Sequence, residues 1–158
     1  KSENAQACEI ARDIDTTSPT TNQVTNLVFL QAIFGELPKG TSAAVCSKPG
    51  DPQTGGWFAM PASSAHHRCG PANNNYFNCS AFAVPVGGEL KARKEHFHSY
   101  RVVLLDDLGS KVPLEMLGDL KLSWLLETSP GNFQGGIILK EPLLDSVSSN
   151  HLLHLIQL

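Results

Sequence analysis

The sequence predicts a mixed α+β domain with a sheet at its core, and three observations carry that reading. Arg101 to Leu105 is a continuous branched and aliphatic run, typical of a central strand buried on both faces. Ser123 to Glu127 and Phe133 to Leu139 flank Thr128-Ser129-Pro130-Gly131-Asn132, whose Pro-Gly pair suits a tight hairpin turn. Asn22 to Phe34 places Val24, Leu27, Val28, Leu30 and Phe34 in a pattern that reads as a helix packed on one side.

Taken in order, residues 1–21 are polar and rich in Thr, Ser and Asn, which predicts a flexible lead-in to a domain over 22–158. Thr20 or Thr21 can cap the first helix, and Gly35 and Pro38 bound its far end. Ala43 to Cys46 and Trp57 to Met60 read as short strands separated by a Gly- and Pro-rich loop. Residues 61–75 show no hydrophobic period and are expected to form a surface excursion, either a cover for a site or a plain loop. Tyr76 to Val84 alternates aromatic and small residues as a strand does, and the Gly87–Gly88 turn and a basic stretch follow. Pro113 to Leu120 can form a short helix with Pro113 near its first turn, and Ser146 to Leu158 reads as a terminal helix.

Composition limits the function classes. The 158 residues are 41% hydrophobic and 17% charged, which suits one compact core and argues against a largely disordered chain. No apolar run approaches the roughly eighteen residues of a membrane span, and the N-terminal stretch has no apolar signal core, so a cytoplasmic location is expected. A net charge of -3 argues against a protein that only coats duplex DNA. It leaves room for a local basic groove, because Lys91, Arg93, Lys94 and Arg101 cluster with His96 and His98, opposed only by Glu95.

Asp106 and Asp107 follow the buried run directly. Two adjacent carboxylates there repel each other unless a cation compensates, and Mg2+ or Mn2+ is commonly held by one or two carboxylates with phosphates completing the shell. An ordinary solvated Asp-Gly-type turn is the competing reading. Arg93 and Arg101 can contact phosphates if the basic stretch is extended, or can belong to a solvated charged face. Around the hairpin turn, Glu127, Ser129, Asn132 and Gln134 offer groups suited to phosphate or sugar oxygens, although turns favour such residues anyway. Trp57, Phe58, Tyr76, Phe77 and Trp124 can stack on bases, with core packing the favoured alternative. Cys8, Cys46, Cys69 and Cys79 match no CxxC pattern. They could form two disulfides only in an oxidising compartment, and a zinc set from His66, His67, Cys69 and Cys79 ranks below scattered core or surface residues.

RVVLLDDLGSKVP at 101–113, SWLLETSPGNFQGGIIL at 123–139 and YFNCSAF at 76–82 together resemble phage and plasmid primase and primase-polymerase domains, in the plasmid replication-primase branch of the archaeo-eukaryotic primase superfamily. The resemblance spans roughly residues 22–139. It implies a palm sheet like an RNA-recognition fold beside a smaller N-terminal α/β element. It also implies nucleotide joining on a single-stranded DNA template from nucleoside triphosphates with Mg2+ or Mn2+, with a replicative helicase supplied in trans. The first family motif falls on Asp106 and Asp107 as catalytic and metal-binding residues. The second, often carrying a His, has Gln134 as its nearest match, with Ser129 and Asn132 close by. A third acidic motif has only Glu141 and Asp145 as candidates, so its segment is missing or divergent.

Three functions follow as expectations. The first is template-directed nucleotidyl transfer in phage or plasmid replication. The second is a catalytically silent primase-like domain that binds nucleic acid or a replication protein. The third is a metal-dependent nuclease or replication initiator, for which Tyr76 or Tyr100 would have to serve as any covalent nucleophile.

Overall fold

The computed structural model describes residues 24–51 and 53–156, so the predicted lead-in over 1–21 lies outside the described residues. The first helix, α1 (Asn26–Phe34), begins at Thr25. Thr25 accepts a hydrogen bond from the Val28 amide at 3.2 Å, one of the donors left open at a helix start. The cap lies a few residues beyond Thr20 and Thr21. Leu30, Ile33 and Phe34, at helical spacing, form the buried side, and Gly35 ends the helix with a φ of 57°.

Six strands follow: β1 (Thr41–Lys48), β2 (Met60–Pro61), β3 (Asn74–Ala83), β4 (Phe97–Leu108), β5 (Trp124–Ser129) and β6 (Asn132–Leu143). They form one sheet in the order β2-β1-β3-β4-β6-β5, with every pairing antiparallel. The described residues are thus a mixed α+β arrangement around an antiparallel sheet. The branched run at 101–105 lies in central β4, where Val102 and Val103 are both buried although they point to opposite faces. The hairpin forms as the Pro-Gly pair predicts. Ser129 pairs with Asn132, leaving Pro130 and Gly131 as the loop, and Gly131 has the left-handed φ of 74° that such a turn requires.

Three stretches differ from the sequence expectation. Trp57 and Phe58 lie outside any strand, and only Met60–Pro61 pairs with β1, because the exposed aromatic pair contributes nothing to the sheet face. The segment after Pro113 is one 3₁₀ turn over Leu114–Leu117, ended by Gly118 at φ 51°. Residues 61–75 hold a 3₁₀ turn (Ala62–Ser64) and the short helix α2 (Ala65–Arg68) before β3 begins. The last helix, α3 (Ser146–Ile156), packs against β4 and β6.

The core has two sides. On one, α1 lays Leu30, Ile33 and Phe34 on Ala43, Val45 and Val102, with Ala65 of α2 closing the end. Phe29 meets Phe77 and Trp124 edge-on at 5.8 and 5.2 Å, a geometry that aromatic quadrupoles favour. On the reverse side, Ala44, Phe82 and Leu90 form a smaller cluster with Ala59 and Val84. Among the described residues no helix is long and apolar enough to cross a membrane.

Candidate functional site

β4 and β6 run in register through Leu104↔Gly136 and Leu105↔Gly135, and resume at Leu108↔Phe133. Two residues of β4, Asp106 and Asp107, therefore stand against the single residue Gln134, which makes a β-bulge. Asp107 takes a φ of 56°, uncommon for a residue with a side chain and tolerated best by Asp and Asn. The bulge separates the two carboxylates. Asp106 accepts the Asp107 amide on Oδ1 at 2.9 Å and lines the cleft on the α1 side. Asp107 instead pairs through Oδ2 with Lys111 Nζ at 2.6 Å. Its carbonyl accepts the Lys111 and Val112 amides at 2.9 and 3.0 Å, which folds 107–112 into a closed turn. The Lys111 ammonium is held above its ordinary value, first by the hydrogen bond it donates to Asp107 and then by the charges of Asp107 and Asp106.

This turn docks on the hairpin loop. A side chain at Gly109 would place its first carbon 2.7 Å from the Gly131 carbonyl oxygen and 3.1 Å from the Phe133 ring, so the two loops approach within a distance only glycine allows. Ser110 donates from Oγ to Asn132 Oδ1, Asn132 donates to Thr128 Oγ1 at 3.0 Å, and Gly131 donates its amide to Glu127 at 2.9 Å. The segments DDLGS and ETSPGN are thus two halves of one contact.

The result is an open cleft of about 700 Å³ between the end of β4, the β5–β6 hairpin, α1 and the start of β3. Asp106, Glu127, Thr128 and Gln134 supply its polar wall on one side, and Asn26 and Asn73 to Asn75 on the other. Asn26 donates to the Cys69 carbonyl at 2.9 Å and Asn75 to that of Gly70 at 2.9 Å, so the far wall is tied to the loop after α2. The excursion at 61–75 accordingly borders the cleft. No Lys or Arg is among the described residues lining it.

The sequence-derived candidates divide. Asp106 and Gln134 share the cleft with Glu127, while Asp107 is bound into its turn. Asn132 holds the hairpin loop, and Ser129 closes it by pairing with Asn132. Arg93 sits in an exposed loop, 3.9 Å from Glu95, and Arg101 donates from Nε to Ser99 Oγ at 3.1 Å, so neither lines the cleft. Among the two later acids, Asp145 caps α3, accepting the Ser148 amide at 2.7 Å. That bond, first of several, holds its carboxyl below the usual range. Neither Asp145 nor Glu141 reaches the cleft.

Tyr100 is buried, and burial, followed by the nearby Cys79, pushes its hydroxyl up to about 12, which disfavours it as a nucleophile. Cys46, Cys69 and Cys79 are free thiols, and burial lifts Cys79 to about 11. Among the described residues no three His, Cys, Asp or Glu come together as a metal set. The cleft asparagines carry no sequence signal of their own, since a polar Asn run reads as any loop does. Compared with known proteins, the chain matches no family model, no curated protein and no solved structure.

Proposed function

We propose that the chain is the nucleotidyltransferase domain of a DNA-priming system, with its sheet as the palm, joining nucleoside triphosphates on a single-stranded DNA template. The observation that carries this reading is the shared cleft. The segments 101–113 and 123–139, which bear the primase resemblance, lie side by side and both border it, with Asp106 and Gln134 on the α1 side.

The donor chemistry suits a divalent cation. Asp106 offers hard carboxylate oxygens to the cleft, the type Mg2+ and Mn2+ take, and no cationic side chain among the cleft's described residues competes for them. Asp107 is turned to Lys111 and Glu127 accepts the Gly131 amide, so Asp106 would be the cleft's metal-holding carboxylate, with phosphate oxygens completing the shell. When bound, such a cation neutralises phosphate charge and favours deprotonation of an attacking hydroxyl. Because Arg93 and Arg101 lie elsewhere, charge neutralisation within the cleft falls to that cation. Gln134 and Thr128 supply neutral hydrogen-bonding groups that orient a sugar or phosphate oxygen, and Gln134 does so without carrying charge.

Primer synthesis on a single-stranded template with Mn2+ tests the proposal. Wild type should incorporate labelled nucleotide, and Asp106→Ala should lose at least about a hundredfold while keeping its circular dichroism spectrum, the scale of losing a charge-stabilising group. Equal incorporation by the two proteins would overturn it. A second reading, a silent domain of the same kind that binds nucleic acid or a replication protein, is favoured by the absence of a three-acid group among the described residues. It predicts no incorporation by wild type and retained single-strand or protein binding.

A further inference from the structure

We propose that the reverse side of the sheet carries a binding site for single-stranded nucleic acid, built from Trp57 and Tyr76 with Lys91, Arg93 and Lys94 beside them. This goes beyond the reading of the cleft and holds whether or not the cleft is catalytic.

The rings come first. Phe77 points toward α1 and joins its core, so its neighbour Tyr76 points to the other face of β3. There it meets Trp57 edge-on, with ring centres 4.8 Å apart and planes at 80°. Lys48 Nζ lies 4.1 Å from the Trp57 ring centre and donates to the Thr54 carbonyl at 2.9 Å, which fixes the indole in place. Even so, Trp57 is 57% exposed and Tyr76 39%. A large aromatic side chain held rigidly but left in water forgoes the burial that would otherwise reward it. A hollow of about 270 Å³ adjoins the two rings, and the small side chains Ala44, Ala59 and Ala92 leave room there for a flat group.

The charge comes from an independent feature. Leu90 is buried against Ala44 and Phe82, pinning the following segment to this side of the sheet. Ala92 then lines the same hollow as Trp57 and Tyr76. Its neighbours Lys91, Arg93 and Lys94 are exposed, with Glu95 only a distant partner of Arg93 at 3.9 Å. Open aromatic rings beside a cationic edge match the chemistry of an unpaired base followed by its phosphates. A duplex would offer the phosphates while keeping its bases stacked internally, and an acidic peptide would use the cations and leave the rings idle.

The test is fluorescence anisotropy of the full chain with labelled oligo(dT), oligo(rU) and a DNA duplex of equal length. Trp57→Ala should weaken binding of at least one single strand about tenfold, the scale of losing one base–aromatic stack, and Trp57→Phe should restore most of it. Replacing Lys91, Arg93 and Lys94 together by Ala should flatten the log–log salt slope by roughly 2. The two oligonucleotide arms identify whether DNA or RNA is held. Unchanged affinity of Trp57→Ala for both strands would overturn the site. So would wild-type binding that is no tighter for single strands than for duplex, or an unaltered salt slope in the triple variant. A wild-type chain that incorporates nothing yet still binds single strands through Trp57 would leave this site standing while the cleft reading fails.

Discussion

Gly109→Ala isolates the contact that assembles the cleft. Two costs are expected. A side chain at a φ of 81° enters the left-handed region, worth about 1–2 kcal/mol for an L-residue. The new carbon would also stand 2.7 Å from the Gly131 carbonyl oxygen and 3.1 Å from the Phe133 ring, and forcing atoms into such a contact typically costs about 1–3 kcal/mol. The sum is about 2–5 kcal/mol. Gly40→Ala supplies the reference, because Gly40 has a φ of 80° and no neighbour within 4 Å of the added carbon. Loss of unfolded-state freedom on replacing Gly by Ala is common to both variants and cancels in their difference. Urea denaturation should therefore place Gly109→Ala about 1–3 kcal/mol below Gly40→Ala. Equal stability of the two variants would refute the docking of the 107–112 turn on the hairpin loop.

Gly136→Ala should be at least as damaging, since its added carbon would lie 2.3 Å from the Trp124 indole. Near-ultraviolet circular dichroism should report the displaced ring, and an unchanged spectrum would contradict the packing. Removing the Thr25 cap by Thr25→Ala should cost about 1 kcal/mol in urea denaturation, with an unaltered midpoint as the contrary result. Alkaline pH should destabilise the fold. Cys79 rises from 9.0 to about 11 and Tyr100 from 10.0 to about 12 on burial, so the folded state keeps its protons longer than the unfolded state. Their contribution is fully present below pH 9 and is lost as pH rises toward 12. Cys79→Ala should remove the earlier part of that fall, which pH-dependent thermal melting would detect.

The parts of the fold readable in the sequence were those set by local chemistry. The apolar face of Leu30 and Phe34, the branched run ending at Leu105 and the Pro130–Gly131 turn each dictate their own structure, and each appears near its expected place. The helix at Pro113 shortened to a 3₁₀ turn because Gly118 stops it, leaving Met116 73% exposed and without core to hold it. Trp57 and Phe58 look like strand residues, yet tertiary position, which propensity does not encode, left them exposed.

At the candidate site, the sequence shows Asp106 and Asp107 as an adjacent pair. Only the register between β4 and β6 reveals the bulge that sends one into the cleft and the other to Lys111. Glu127 is legible as a polar residue of the hairpin, but that it borders the same cleft as Asp106 depends on β5 and β4 flanking the same strand. Asn26 and the 73–75 run join the site from far along the chain, through contacts with Cys69 and Gly70 that no local pattern announces.

The most direct test of the cleft carboxylate is isothermal titration of Mn2+ with a nucleoside triphosphate into wild type, Asp106→Asn and Asp107→Asn. Wild type and Asp107→Asn should show metal-coupled binding, with coupling lost in Asp106→Asn. Coupled binding that survives Asp106→Asn, or that disappears only with Asp107→Asn, would contradict the role given to Asp106.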